Sequence, residues 1–482
     1  MNIKISKASS EKYLFPALLL LLSFILRIIY LNGGDIAGDE PFTIFYSQAD
    51  FETFAAMMKN ENNPPLFFLL LHFWIKVFGI SSFSTRFLPL IFSTVTVLYI
   101  YKIGREFFNI RVAIIASLLF AFSNFHIFFA HETRVYSLFA LLTTISMYSF
   151  LSLVKNKSDR KNFIVLILTN SLLIYSHFFG FFVLMIQFLS VLTIKEIRNT
   201  IFKKYLYITF LTFIVYLPYL KILISRFSAS AKGTWIPASD IVGLYDNLWK
   251  FSNAPVNTVI FLLILLTAIV TVFLKRTRIA TITSANSKVV IIWFLVPYLL
   301  IFLISLITPM FLDRYLIFIS IGYYLTIAIA INYIGNINRL FYSLSSVVLF
   351  MMFITCNPKK GNERNTKDLV NSISQLKTSK SVVYMCPEWI DLGFVYYYNL
   401  DYFKDYKNTR SKLNADRIFP INSAQQVNDS LMAQCESAVY LDGWSVQVDQ
   451  DNMIYKRLSG IFKNVTYNES YHGYKIYHFT RQ

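Results

Sequence analysis

The sequence predicts a polytopic α-helical membrane protein with a small C-terminal extracytoplasmic α/β domain, and three observations carry that prediction. Hydrophobic residues fill 55% of the 482 positions and charged residues only 15%, too little polar surface to clothe a water-soluble globule of this length. The apolar residues gather into runs long enough to cross a bilayer. Beyond Cys356 the composition turns polar and charged.

The apolar runs are residues 14–31, 83–101, 112–130, 135–153, 163–194, 206–220, 259–274, 289–307, 315–333 and 340–354. No small-residue cleavage site follows the first run, so it reads as a retained helix rather than a signal peptide. The net charge of +18 would suggest nucleic acid in a soluble protein, but here it is read by position. Basic residues cluster in the connectors: Lys4, Lys7 and Lys12; Arg105 and Arg111; Lys155, Lys157, Arg160 and Lys161; Lys195, Arg198, Lys203 and Lys204; Lys275, Arg276, Arg278 and Lys288; and Arg339. The positive-inside bias places all of these on the cytoplasmic face.

That bias settles the run 163–194, which is too long for one helix and carries basic clusters at both ends. It must turn back on the outer face, and Ser176-His177 with Gly180 behind it is the polar point available. The same logic makes hairpins of 112–153, with His131-Glu132-Thr133-Arg134 at the outer tip, and of 289–333, with residues 309–314 at the tip. The expected topology is about eleven transmembrane helices, with the N-terminus inside and the C-terminal segment outside. Pro64-Pro65 opens a short apolar stretch interrupted by His72 and Lys76, read as an interfacial helix in the first outer loop. A longer outer loop over 225–253 carries Lys232, Trp235, Pro237 and Trp249, where Trp marks the membrane interface.

The expected division is a transmembrane domain over 1–356, with its first outer loop at 32–82, and an extracytoplasmic α/β domain over 357–482. In the latter, 371–377 ends a helix, while 381–385, 438–441 and 474–478 alternate like strands. No catalytic or metal motif stands out there. Cys356, Cys386 and Cys435 match no zinc or redox spacing, and the odd count leaves a Cys386–Cys435 disulfide open.

The hairpins, drawn from basic connectors alone, bring Asp39, Glu40, Glu132, Arg134, His177, Asp313 and Arg314 to one face. Polar groups at helix tips are ordinary one by one, but together these resemble the acid, base and cation set of a group-transfer site. Arg134 with Tyr136, and Arg314 with Tyr315, repeat a cation-plus-phenol pair suited to phosphate at headgroup depth. Asp313 reads as an ion-pair partner of Arg314, and Arg27 as a snorkelling cation. His72 and His126 read as packed or interfacial residues. A transporter or lipid flippase is the competing class, although such proteins place charges near the midplane and show internal repeats. A polysaccharide polymerase or ligase is a third.

The order Gly38-Asp39-Glu40, Asn63-Pro64-Pro65-Leu66, Ser84 to Pro89 with Arg86, His131-Glu132-Thr133-Arg134-Val135-Tyr136, Tyr175-Ser176-His177-Phe178-Phe179 and Asp313-Arg314-Tyr315 resembles the GT-C glycosyltransferases. It is most similar to the bacterial family 39 branch, related to protein O-mannosyltransferases and lipid A aminoarabinose transferases. The resemblance covers about residues 14–333. It implies a polyprenyl-phosphate sugar donor, an inverting transfer on the outer face of the cytoplasmic membrane, and a glycan, lipid or protein acceptor. It also implies Asp39 as the general base and Arg314 and Arg134 as the cations that stabilise the departing phosphate. Glu40, His131, Glu132, Tyr136, His177, Asp313 and Tyr315 are the remaining expected substrate-binding residues; Glu132 and His177 are the pair that could hold a divalent ion. The outward site and the lack of a glycine-rich phosphate loop also favour a lipid-linked donor over a nucleotide sugar. Two departures stand out: His131 replaces the family's more usual glutamine, and Asn63 stands where aminoarabinose transferases carry lysine.

Overall fold

The computed structural model describes residues 13–230, 233, 235–275, 284–335, 338–361, 364–471 and 473–481. Lys4, Lys7, Lys12, Lys232, Arg276 and Arg278 lie outside the described residues. Contacts divide the chain into two compact units. The first takes in the described residues of Met1–Leu31, Met57–Leu70 and Phe83–Gly361; the second takes in those of Asn32–Ala56, Leu71–Ser82 and Asn362–Gln482.

In the first unit the apolar runs are helical, because a backbone without water must bond within its own segment. Among the described residues, six helices are long and apolar enough to cross a membrane: Ser82–Phe107, Tyr136–Lys155, Lys195–Ser230, Pro255–Leu274, Ala285–Ser305 and Asp313–Ile334. A seventh candidate is the pair Ile110–Ala121 and Asn124–Ala130, bent by 58°, where Ser123 accepts from the His126 N–H and caps the second piece. The run 163–194 breaks at residue 177 into helices Arg160–Ser176 and Gly180–Thr193. The expectation of eleven spans counted shorter helices, among them Phe15–Ile28. Its 14 residues rise only about 21 Å, less than the roughly 30 Å of hydrocarbon.

Helix Ile317–Ile334 is almost wholly buried and packs against helices Ile110–Ala121, Pro255–Lys275 and Ala285–Ser305. Small residues allow close crossings: a Cβ on Gly104 would lie 2.4 Å from the Ala113 backbone. Polar side chains tie four other helices together. Ser146 donates to Asn170 at 2.6 Å, Asn170 to Gln187 at 3.0 Å, and Tyr205 to Gln187 at 3.2 Å. Such bonds replace the water that buried amides have lost.

Arg27 does not snorkel. It is fully buried, donating to Ser93 Oγ at 2.7 Å and to the carbonyls of Ser23, Phe120 and Ala121. It also stands 5.0 Å from the Phe120 ring centre. These acceptors take the place of the headgroup water that the sequence reading assigned to it.

The second unit holds a five-stranded sheet. Its strands are β1 (Ser381–Cys386), β2 (Ile418–Pro420), β3 (Ser437–Gly443), β4 (Asn464–Tyr471) and β5 (Tyr474–Thr480), in the order β2-β1-β3-β5-β4. The β2-β1-β3 part is parallel and the β3-β5-β4 part antiparallel. Every residue of β1 is buried, as expected of a central parallel strand covered on both faces. Helix Thr366–Leu376 precedes the sheet. Strands β2 and β4 were not read from sequence; β2 spans only three residues, too few to show alternation. Cys356, Cys386 and Cys435 are free thiols, the last two buried in one apolar cluster. Residues 32–56 and 71–82 fold with this sheet: His72 Nδ1 meets the Ser47 carbonyl at 2.7 Å, and Tyr396 donates to the Ile80 carbonyl at 2.8 Å.

Candidate active site

In the first unit His177 is the hub of the residues singled out by sequence. It caps helix Arg160–Ser176, and the chain turns sharply behind it, since a Cβ on Gly180 would lie 2.8 Å from the Leu173 carbonyl oxygen. Phe179 N–H donates to His177 Nδ1 at 3.1 Å, which leaves the proton of a neutral ring on Nε2. The ring stacks on Phe139 at 4.8 Å and meets Tyr315 at 5.4 Å and Tyr136 at 6.2 Å. Arg134 and Arg314 both act on it electrostatically.

Glu132 and Arg134 are buried in the tight turn after helix Asn124–Ala130, where Arg134 N–H donates to the Glu132 carbonyl at 2.6 Å. His131, also buried, places Nε2 2.7 Å from the Arg27 carbonyl oxygen; that bond ties the turn to helix Phe15–Ile28. His126 is a packed residue, 2.7 Å from Ser320 Oγ. Asp313 pairs with Lys250 at 2.8 Å and accepts from the Arg314 N–H at 2.6 Å. Lys250 is thus an ion partner that the sequence reading did not name. The Arg314 guanidinium lies 5.1 Å from the Trp235 ring centre.

Beside this cluster is a cavity of about 470 Å³, walled by aromatic and aliphatic side chains such as Phe178, Phe227 and Ile304, with His177, Tyr315 and Arg226 among its polar groups, beside Asn62, Ser230 and Thr308. It has the size and the mostly apolar lining of a small-molecule site. Arg226, which donates to Asn62 at 2.5 Å, was missed from sequence. It lies near the end of the long helix Lys195–Ser230, and a lone basic residue at a helix end carries no signal of what it faces.

Asp39 and Glu40 belong to the second unit. Gly38 has φ +59°, a left-handed turn that glycine adopts without strain, and it delivers the chain into helix Glu40–Ser47. Asp39 is the exposed residue before that helix and its side chain makes no capping bond. Glu40 is fully buried and bound to Arg364 at 3.1 Å. The preceding loop is held by the same segment: Asp35 N–H donates to the Arg364 carbonyl, and Lys367 N–H to Asp35 Oδ2 at 2.7 Å. Asp39 lines a cleft of about 170 Å³ with Trp389, Trp444 and Tyr474.

Among the described residues, no group of three or more His, Cys, Asp or Glu side chains is placed to hold a metal ion. Glu132 and His177 are therefore not accompanied by a third ligand of that kind.

Residues 62–221 match the family model of dolichyl-phosphate-mannose-protein mannosyltransferase. The fold is similar over nearly its whole length to ArnT from Cupriavidus metallidurans bound to undecaprenyl phosphate, with a TM-score of 0.60 and 11% identity over 96% of this chain and 97% of that one. The chain has the GT-C fold. A second GT-C structure, the archaeal oligosaccharyltransferase AglB from Archaeoglobus fulgidus in complex with an inhibitory peptide and a dolichol-phosphate, matches with a TM-score of 0.58. Its identity is 11%, over 97% of this chain and 74% of that one. No curated protein matches the sequence. The family match and the fold together bear out the GT-C resemblance drawn from the motifs, and with it a multi-pass membrane protein.

Proposed function

We propose that this protein is an inverting GT-C glycosyltransferase that moves a sugar from a polyprenyl-phosphate donor to an acceptor hydroxyl on the outer face of the cytoplasmic membrane. The observation that carries this reading is the apolar cavity walled by His177, Arg226 and Tyr315. A mostly apolar wall with an arginine, a histidine and a tyrosine hydroxyl suits a prenyl chain ending in a phosphate. The similar ArnT structure is bound to undecaprenyl phosphate and AglB to a dolichol-phosphate, which supports the same donor class here. The eleven-span topology belongs to this reading, with the helices Arg160–Ser176 and Gly180–Thr193 on either side of His177 counted as two of the spans.

In the reaction, Asp39 takes the proton of the acceptor hydroxyl as its oxygen bonds to the anomeric carbon. The glycosidic C–O bond breaks, and the polyprenyl phosphate leaves as an anion that needs no protonation. Arg314 and Arg134 stabilise the charge growing on the phosphate oxygen. Glu40 holds the Asp39 turn through Arg364, while Glu132, His177, Tyr136 and Tyr315 surround the donor headgroup. His131 and Asp313 orient this set through their bonds to Arg27 and Lys250.

The test is sugar transfer by the purified chain in nanodiscs, supplied with polyprenyl-phosphate-linked sugars. Asp39→Asn is expected to lower turnover by about 10²–10⁴-fold, the usual worth of a general base. Unchanged transfer by that variant would remove the base assignment; a substrate-dependent flux across proteoliposomes without transfer would replace the enzyme by a transporter.

A further inference from the structure

The cleft around Asp39 is built from four parts of the second unit: the 37–42 turn and helix start, the start of helix Thr366–Leu376, the segment 389–394 that carries Trp389, and the ends of β3 and β5 with Trp444 and Tyr474. A second hollow of about 220 Å³ shares Gly38, Thr366, Trp444 and Tyr474 with it and adds Arg364 and Asn365. The two form one small cleft with an aromatic wall and a hydrogen-bonding wall.

The aromatic wall is held open to water. Trp389 and Trp444 are 52% and 50% exposed, whereas Trp293 of the first unit is fully buried and bonds the Phe318 carbonyl. Trp444 sits at φ +63°, a left-handed conformation that a bulky side chain rarely adopts. Its indole lies against Gly473, where a Cβ would come within 2.9 Å, and its ring centre is 5.1 Å from that of Tyr474. Tyr474 in turn rests on Gly443, where a Cβ would come within 2.7 Å. Two glycines therefore make room for two rings at the mouth of the cleft. Strain of this kind persists where the surrounding structure over-determines it, which is commonest at ligand sites.

We infer that this cleft is the acceptor subsite and that the acceptor is a saccharide. A pyranose ring has an apolar C–H face and a rim of hydroxyls, which matches an indole wall facing Asp39, Thr366 and Asn365. Each of the two hollows lies below the roughly 300 Å³ at which pockets for drug-sized molecules begin, so either one suits a terminal ring rather than an extended peptide. A hydroxyl of that ring at Asp39 is the nucleophile. The assignment rests on the reading of Asp39 as base.

The test is binding rather than transfer. Saturation-transfer NMR of the full chain in nanodiscs is run with the methyl glycosides of glucose, galactose, mannose and N-acetylglucosamine, and with a Gly-Ser-Gly peptide. At least one glycoside is expected to bind saturably, and Trp389→Ala and Trp444→Gly to weaken it about tenfold, the worth of one lost aromatic contact. Glycine at 444 keeps the left-handed backbone, so that variant folds without strain. Asp39→Asn retains glycoside binding while losing transfer, which separates this inference from the base assignment. No binding by any glycoside, binding as tight as the unsubstituted protein's by both tryptophan variants, or saturable binding of the peptide alone would overturn it.

Discussion

Glu40 and Arg364 are joined by a bond of 3.1 Å across 324 positions of sequence, with the glutamate side chain fully buried and the arginine side chain 23% exposed. The pair fastens the turn that presents Asp39 to the segment leading into the C-terminal sheet. Its two halves are not equivalent. Arg364→Ala leaves a buried charge uncompensated, whereas Glu40→Gln leaves an amide and a partly hydrated cation. Arg364→Ala is expected to cost about 2–3 kcal/mol, below the full price of breaking a buried pair because water reaches the guanidinium. Glu40→Gln should cost less, and hydrogen exchange over 35–40 should quicken in the alanine variant. Equal melting temperatures for the two would refute the asymmetry.

Arg226 is expected to bind the donor phosphate from the cavity wall. Arg226→Ala should raise the donor KM by about ten- to a hundredfold, the worth of a hydrogen bond to a charged group. Lysine should recover only part of this, since it lacks the planar fork. A donor titration that leaves KM unchanged in Arg226→Ala would take the phosphate away from this cavity.

Asp391 should make stability fall as pH rises. Burial pushes its carboxyl up to about 6 despite the Arg410 guanidinium at 3.1 Å. The folded state therefore holds a proton that the unfolded chain, with a carboxyl near ~3.9, releases. Between roughly pH 4 and 6 this costs the fold about 3 kcal/mol, with nothing further above that window. Asp391→Asn should flatten that part of the stability profile, as followed by thermal unfolding at stepped pH. A wild-type profile that rises over this interval and is unchanged by the substitution would contradict the assignment.

Gly104→Ala should destabilise the membrane bundle. The added methyl would meet the Ala113 backbone at 2.4 Å, and backbone cannot give way as a flexible side chain can. Overpacking of this kind costs about 1–3 kcal/mol. A lower melting temperature in detergent is expected; no shift would mean that the two helices part freely.

Much of the helical scaffold was legible because its signal is local. Hydrophobic run length and basic connectors located the helices and the break at His177, which the structure places between Ser176 and Gly180. His177 was found with Tyr136 and Tyr315 because all three fall at helix tips that the same charge pattern brings together. Arg27 was misjudged because a cation near a helix end looks the same in sequence whether it meets water or four buried acceptors.

By itself the sequence determined a helical membrane protein, the order of its motifs and strands β1, β3 and β5 of the C-terminal sheet, since these follow from composition and period along a few residues. Only the tertiary structure decided that residues 32–56 fold with 362–482, that Glu40 meets Arg364, and that Arg226 and Trp235 wall one cavity. Such pairings join segments far apart in the chain, and their energy comes from burial and hydrogen bonding after collapse, which no local pattern of residues encodes.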